Sequence, residues 1–379
     1  MNQHNDRSLL LGIPVDNVNM NDALGRIMTM VNQYETDRKN RLVATANVDF
    51  LVNAHDRKDK ERANELLSVL RSAELVTADG MPLVWLSQML GKPLKERVTG
   101  ADMVPALAER AALEGKSIYL FGGIDGSAKN TAKILQKRYP GLKIAGYSAP
   151  YIDLNDKIEN KVEIARINIT QPDILLIALG NPKQEIWFQR FKKYLKVPVS
   201  IGIGGTFEFI SGATNRAPEW MQRTGLEWIY RMSQDPRRLV NRYVKGLYRF
   251  NRMALPLLAL NSLAQRIRRS SKTERALVHQ GTTDSAIQVN SVDIPGLEIR
   301  LETDARQRMA IMDFSRIPAL DPEDMSNLAD LLLQSTRMGY VPVFTGLRRL
   351  PSMLLRVYRI HDLVDQAVNQ VDLPEVAMA

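Results

Sequence analysis

The 379-residue chain contains no cysteine. Disulfide frameworks and thiolate metal sites are therefore excluded. Its four histidines, His4, His55, His279 and His361, are scattered, without the close spacing of a metal-ligand pair. The opening residues, MNQHNDRSLLLGIPVDNV, have no basic stretch leading into a long apolar core, so no signal peptide is expected. No window reaches the roughly 18 apolar residues of a membrane-spanning helix. No internal repeat or low-complexity tract stands out, and a cytoplasmic protein is the default expectation. What is present is an ordinary globular composition, 45% hydrophobic and 25% charged, on a chain long enough for about two or three domains.

The formal net charge of +9 is unevenly placed. Residues 1–215 carry 28 Lys/Arg against 24 Asp/Glu, residues 216–275 carry 14 against 4, and residues 276–379 carry 9 against 14. One basic segment thus separates a nearly balanced N-terminal part from an acidic C-terminal one.

In residues 1–215, short apolar runs (RLVATANVDF, ELVTADG, SIYLFGG, KIAGYSAPY, DILLIALG, VSIGIGG) alternate with helical patterns such as MPLVWLSQML, MVPALAERAALEG and SAKNTAKILQKRYPG. This alternation predicts an α/β fold, a mostly parallel Rossmann-like sheet with helices on both faces. Residues 216–269 read as basic, aromatic-rich helix, with Pro236 opening a second helix. Residues 270–290 are polar and aperiodic and read as a linker. Residues 291–379 start a second small α/β unit: two strands and a polar turn in LEIRLETDARQRMAIMDFS, an amphipathic helix after Asp321, a strand VPVFTGL, and a helix PSMLLRVYRIHDLVDQAV.

Ligands of an open parallel sheet bind beyond the carboxyl ends of its strands. The turns there hold Thr45 and Asn47, then Asp79, then Gly122 and Gly123, then Gly180, Lys183 and Gln184, and finally Gly204, Gly205, Phe207 and Glu208. Glycine turns opening onto helices suit a diphosphate, because backbone N–H groups reach the anion. The spacing matches neither the dinucleotide fingerprint nor a P-loop. Asp79 has two readings, a helix N-cap or a carboxylate base for a hydroxyl nucleophile. Asn47 is a turn residue or a partner for sugar hydroxyls. Lys183 and Gln184 can equally be the polar start of a helix. No D-x-D motif is present to hold a divalent metal on a diphosphate.

The ordered motifs ATANVDF, TADGMPLVW, RVTGADMV, YLFGG, RYPGLKIAGY, PDILLIALGNPKQEIW, GIGGTFEFISG and RAPEWMQRTGLEWIYRMSQDPRR resemble the WecG/TagA/CpsF glycosyltransferases, glycosyltransferase family 26, over about residues 9–250. The resemblance implies an inverting enzyme that moves a sugar from a UDP-sugar to a polyprenyl-diphosphate-linked saccharide in cell-surface or exopolysaccharide synthesis. It implies Asp79 as general base, with Asn47 and Gln184 in the active site. By the same resemblance, the appendage arginines that bind the lipid diphosphate fall among Arg231, Arg237, Arg238 and Arg242. Glu208 stands where the family usually has Asp near the nucleotide. Together, Thr45, Gly122, Gly123, Gly180, Lys183, Gly204, Gly205, Phe207 and Glu208 are expected to form the UDP-sugar site. No cofactor and no metal ion are expected.

Basic residues interleaved with aromatics suit an anionic lipid surface or a single-stranded nucleic acid. With the resemblance, the expectation is the inner face of the cytoplasmic membrane and no nucleic acid. Residues 294–370 resemble a STAS domain, with Glu323 at the position of the usual phosphorylatable Ser, which implies a protein partner without a phosphorylation switch. The alternative is a UDP-sugar-sensing regulatory or scaffold protein that signals through this domain.

Overall fold

A computed structural model describes residues 6–270, 294, 296–303 and 308–364. The chain begins with β1 (Arg7–Leu10), β2 (Ile13–Asp16) and α1 (Met20–Asp37). Then come β3 (Arg41–Ala46), α2 (Val48–Asn53), α3 (Lys60–Ser72), β4 (Leu75–Ala78), α4 (Met81–Met89) and α5 (Gly100–Glu114). The alternation continues with β5 (Ser117–Gly122), α6 (Ser127–Arg138), β6 (Lys143–Ser148), α7 (Lys157–Ile169), β7 (Ile174–Ala178), α8 (Lys183–Phe191) and β8 (Val199–Gly202). Four helices follow: α9 (Thr206–Ile210), α10 (Glu219–Arg223), α11 (Glu227–Gln234) and α12 (Pro236–Ser270). The last elements are β9 (Glu298–Thr303), β10 (Arg308–Asp313), α13 (Pro322–Arg337), β11 (Val341–Thr345) and α14 (Arg349–Val357).

The chain forms two compact units, one of residues 13–88 and 93–250, the other of residues 1–12, 89–92 and 251–379. The basic segment 216–269 is divided between them. Of the expected linker at 270–290, all but Ser270 lies outside the described residues.

The first unit is built on a six-stranded sheet in the order β4-β3-β8-β7-β5-β6. Every neighbouring pair is parallel. Strands β3, β7 and β8 are buried along their whole length, as expected of a parallel sheet covered on both faces. The core joins Ile27 and Val31 of α1, Leu107 of α5, and Leu120, Leu176 and Ile201 of the sheet. Helix α1 forms where Asn19 and Asp22 make a reciprocal capping box and apolar residues recur on one face. The register places Ala46 beside Ala78, Ala44 and Ile177 beside Gly202, and Gly122 beside Ala178. Five strands therefore end at one edge, and that edge carries the turns singled out in the sequence. The short strands β1 and β2 are not expected from the sequence, because four residues either side of the Leu11-Gly12 turn show no period.

In the second unit, β9 runs antiparallel to β10, and β10 parallel to β11, with α13 as the connection between them. Asp321 caps α13 in a second capping box, followed by Pro322 in the first turn. Strand β1 lies against α13, and the Leu9 N–H donates to Ser326 Oγ at 3.3 Å in a buried setting. The single helix expected from Pro351 onward is interrupted: α14 ends at Val357 and Arg359 turns left-handed at φ 54°.

Candidate active site

A cleft of about 1090 Å³ opens in the first unit at the carboxyl ends of β3, β4, β7 and β8. Asn47 and Asp79 reach it from strand-end turns, Gln184 and Glu208 from the first turns of α8 and α9, and Arg231 and Arg242 from α11 and α12.

Asp79 follows β4, and its backbone N–H donates to the Ala46 carbonyl at 2.6 Å, tying the ends of β3 and β4 together. The N-cap reading is not what the structure shows. Helix α4 starts two residues later, and the Asp79 carboxylate accepts instead from the Gly100 N–H at 3.4 Å, at the start of α5. Burial pushes its carboxyl up to about 6, against the opposing pull of Arg231, the Gly100 N–H and Arg97, with Glu227 adding to the rise. A carboxylate poised near neutrality suits proton acceptance.

Around it lies a charge network of which the sequence singled out Arg231 alone. Arg97 pairs with Glu227 at 3.0 Å and with Asp102 at 3.6 Å. Arg231 pairs with Glu227 at 3.1 Å, and Arg216 with Asp102 at 2.6 Å. The Arg231 guanidinium also stacks 4.4 Å from the centre of the Phe209 ring. Burial works to raise the Asp102 carboxyl, but Arg216 and the Thr99 hydroxyl outweigh it and hold it below its ordinary value. These charges come from separate stretches, RVTGAD, RAPEW and LEWIYR, so only the fold brings them together. The signal available in the sequence was an Arg or Asp inside each motif.

Asn47 caps α2, its side chain accepting from the Asp49 N–H at 3.0 Å, while still lining the cleft. Thr45 is buried and donates to the Gly202 carbonyl at 2.9 Å. Gln184 is buried at the cleft wall, where its Oε1 accepts from the Gly204 N–H at 3.1 Å. Its Nε2 donates to Glu185 Oε1 at 2.6 Å. Gly202 leaves room for this pair: a Cβ there would stand 2.6 Å from Gln184 Nε2 and 2.7 Å from Glu185 Oε1.

The glycine turns partly depart from the expected anion cradle. Gly123, Gly180, Gly204 and Gly205 line the cleft, whereas Gly122 ends β5 and does not. The Gly123 N–H is taken by the Ala178 carbonyl at 2.8 Å and the Gly204 N–H by Gln184. The next N–H, of Ile124, donates to Glu208 Oε1 at 3.0 Å. In this structure a carboxylate holds the turn where an anionic group was expected, and Glu208 lies at the cleft wall.

Three further expectations are corrected. Lys183 does not line the cleft; its ammonium lies 5.2 Å from the centre of the Tyr151 ring. Phe207 is fully buried in the core, because α9 turns that face inward. Of the four arginines, Arg231 and Arg242 line the cleft, Arg242 paired with Asp49, whereas Arg237 is exposed and outside it. The Arg238 side chain lies outside the described parts of the structure.

Several known proteins resemble this chain in sequence. A protein of Bacillus subtilis (strain 168), named N-acetylglucosaminyldiphosphoundecaprenol N-acetyl-beta-D-mannosaminyltransferase, is 32% identical over 218 residues, covering 57% of this chain and 81% of the relative. Proteins of the same name from Bacillus spizizenii and Staphylococcus aureus (strain MW2) are each 29% identical, covering 59% and 61% of this chain and 84% and 85% of the relatives. The profile of the glycosyl transferase WecG/TagA/CpsF family matches residues 8–268. The chain therefore belongs to the WecG/TagA/CpsF family of glycosyl transferases.

Proposed function

We propose that the chain transfers a hexosyl group from a UDP-sugar to a polyprenyl-diphosphate-linked saccharide, inverting the anomeric carbon and using no resident metal ion. The observation that carries this reading is Asp79, a cleft carboxylate with its pKa raised to about 6 and guanidinium groups around it. In the reaction, an acceptor hydroxyl oxygen bonds to the anomeric carbon and the bond from that carbon to UDP breaks. The hydroxyl proton passes to Asp79, and UDP leaves with its charge stabilised by Arg97 and Arg231. The relatives' names make N-acetylmannosamine the first sugar to test and N-acetylglucosaminyldiphosphoundecaprenol the first acceptor.

A lipid-linked acceptor calls for contact with a membrane. Helix α12 offers exposed Val240, Val244, Leu247 and Tyr248 on a helix that also carries the exposed Arg237 and Arg252. No helix of the described residues is long and apolar enough to cross a membrane. Peripheral attachment to anionic lipid at the cytoplasmic face fits both features. We read the second unit as a STAS-like docking module, with Glu323 exposed in the first turn of α13.

The test is incubation with UDP-N-acetylmannosamine and N-acetylglucosaminyldiphosphoundecaprenol. Acceptor-dependent release of UDP is expected. Binding of the nucleotide with no release under any UDP-sugar would favour a sensor over an enzyme.

A further inference from the structure

Glu185 is fully buried behind the cleft wall, and the reaction outlined above does not use it. Both of its carboxylate oxygens are engaged by amides that do line the cleft. Gln184 Nε2 donates to Oε1 at 2.6 Å, and Asn181 Nδ2 donates to Oε2 at 3.3 Å. Each amide is held at its other end as well. Gln184 Oε1 accepts from the Gly204 N–H at 3.1 Å, and Asn181 Oδ1 accepts from Asn53 Nδ2 at 2.7 Å. The chain Asn53–Asn181–Glu185–Gln184–Gly204 thus gives both amides one consistent orientation, and the ionised carboxylate is the only acceptor pair in its middle.

We propose that Glu185 is a positioning residue, whose ionised carboxylate fixes the Gln184 and Asn181 amides in the cleft wall and whose protonation releases the Asn181 amide. The proposal rests on the transferase reading for its functional consequence, but not for the relay itself. A protonated Glu185 gains an O–H donor and keeps less acceptor capacity, so the pairing is best satisfied when one amide turns its oxygen toward the new O–H. Turning Gln184 would set its Nε2 against the fixed Gly204 N–H. Turning Asn181 needs only that Asn53, half-buried at the end of α2, turn with it. Release therefore runs through Asn181.

The surroundings favour such a switch near neutrality. Burial pushes the Glu185 carboxyl up to about 7, opposed by the hydrogen bond from Gln184, its own backbone N–H and Asn181. Helix α8 packs against α3 and β8. From α3, Glu65 pairs with Arg190 on the exposed side of α8, and β8 presents Gly202. On α8 itself, Lys183 lies over Tyr151.

The experiment follows the side-chain amide resonances of Asn181 and the carboxyl carbon of Glu185 in the full-length protein from about pH 5 to about pH 9. The two signals should shift with a shared midpoint, and the Asn181 shift should vanish in Glu185→Gln. Different midpoints, a motionless Asn181 amide, or the same Asn181 titration in the variant would overturn the proposal. Where Glu185→Gln does not fold, the shared midpoint in the wild type decides. A second arm measures UDP release from UDP-N-acetylmannosamine with N-acetylglucosaminyldiphosphoundecaprenol. Two carboxylates, Asp79 and Glu185, must be ionised, so the logarithm of the rate should fall on the acid side with a slope of about two. Glu185→Gln should lower turnover about tenfold and reduce that slope to about one. Unchanged turnover and slope would overturn the positioning role. Absence of turnover in the wild type, with the amide titration intact, would instead count against the transferase reading and leave the relay standing.

Discussion

Replacing Asp79 by Asn should make the protein a poorer catalyst and a more stable fold. The carboxyl is raised from 3.8 to about 6 on folding, chiefly by burial. At about 1.4 kcal/mol per pKa unit, the ionised group costs the fold up to about 3 kcal/mol. The residue is only half-buried, so water recovers part of that, and about 1–3 kcal/mol is the expected range. The sign follows from linkage. A carboxyl whose folded pKa is raised imposes no cost below its unfolded value, a growing cost as the pH rises, and the full cost above its folded value. Urea melts of wild type and Asp79→Asn should therefore diverge between about pH 4 and about pH 6 and stay apart above, with the variant more stable. UDP release should fall by about 10²- to 10⁴-fold, the range for loss of a general base. A stability gap independent of pH would refute the burial argument. Turnover within about twofold of wild type would refute the assignment of Asp79 as base.

Arg231→Gln removes the strongest counterweight to burial at Asp79, so the Asp79 pKa should rise further and the acid limb of the pH–rate profile should move to higher pH. Lys183→Ala should leave the KM for the donor within about twofold, because its ammonium lies over Tyr151 and not in the cleft. Gly202→Ala should cost about 1–3 kcal/mol in a denaturant melt and lower turnover as well, because the new Cβ falls on the Gln184–Glu185 pair.

The sheet was legible because most of its strands are buried apolar runs followed by Gly, Asn or Asp, with the edge strand β6 as the exception, and a parallel sheet converts that pattern directly into a ligand edge. Asp79 and Asn47 were legible for the same reason, because they sit immediately after a strand, and Gln184 because it opens the helix that follows β7. Of the residues that reach the cleft from elsewhere, Arg231 and Arg242 were named only through the family resemblance, and Arg97 and Glu227 were not named at all. Arg97 and Glu227 are 130 residues apart in the chain, and no periodicity links them. Lys183 and Phe207 show the opposite limit. Both lie next to cleft residues in sequence, but on α8 and α9 a step of one residue turns a side chain by about 100°, toward Tyr151 in one case and into the core in the other. The Gly123 N–H was expected to be open to a ligand, and only the three-dimensional arrangement shows the Ala178 carbonyl occupying it.

The hydrogen bond from Leu9 to Ser326 closes a separation of 317 residues. During synthesis at about 5–20 residues per second, β1 leaves the ribosome about 15–60 s before α13 exists. For that interval the Leu9 N–H has no Ser326 to meet, whereas every strand of the parallel sheet is already present once Gly202 has emerged. The second unit is thus obliged to complete last. A nascent chain arrested before residue 326 would carry every strand of the parallel sheet, while β1 still lacked the Ser326 hydroxyl of α13.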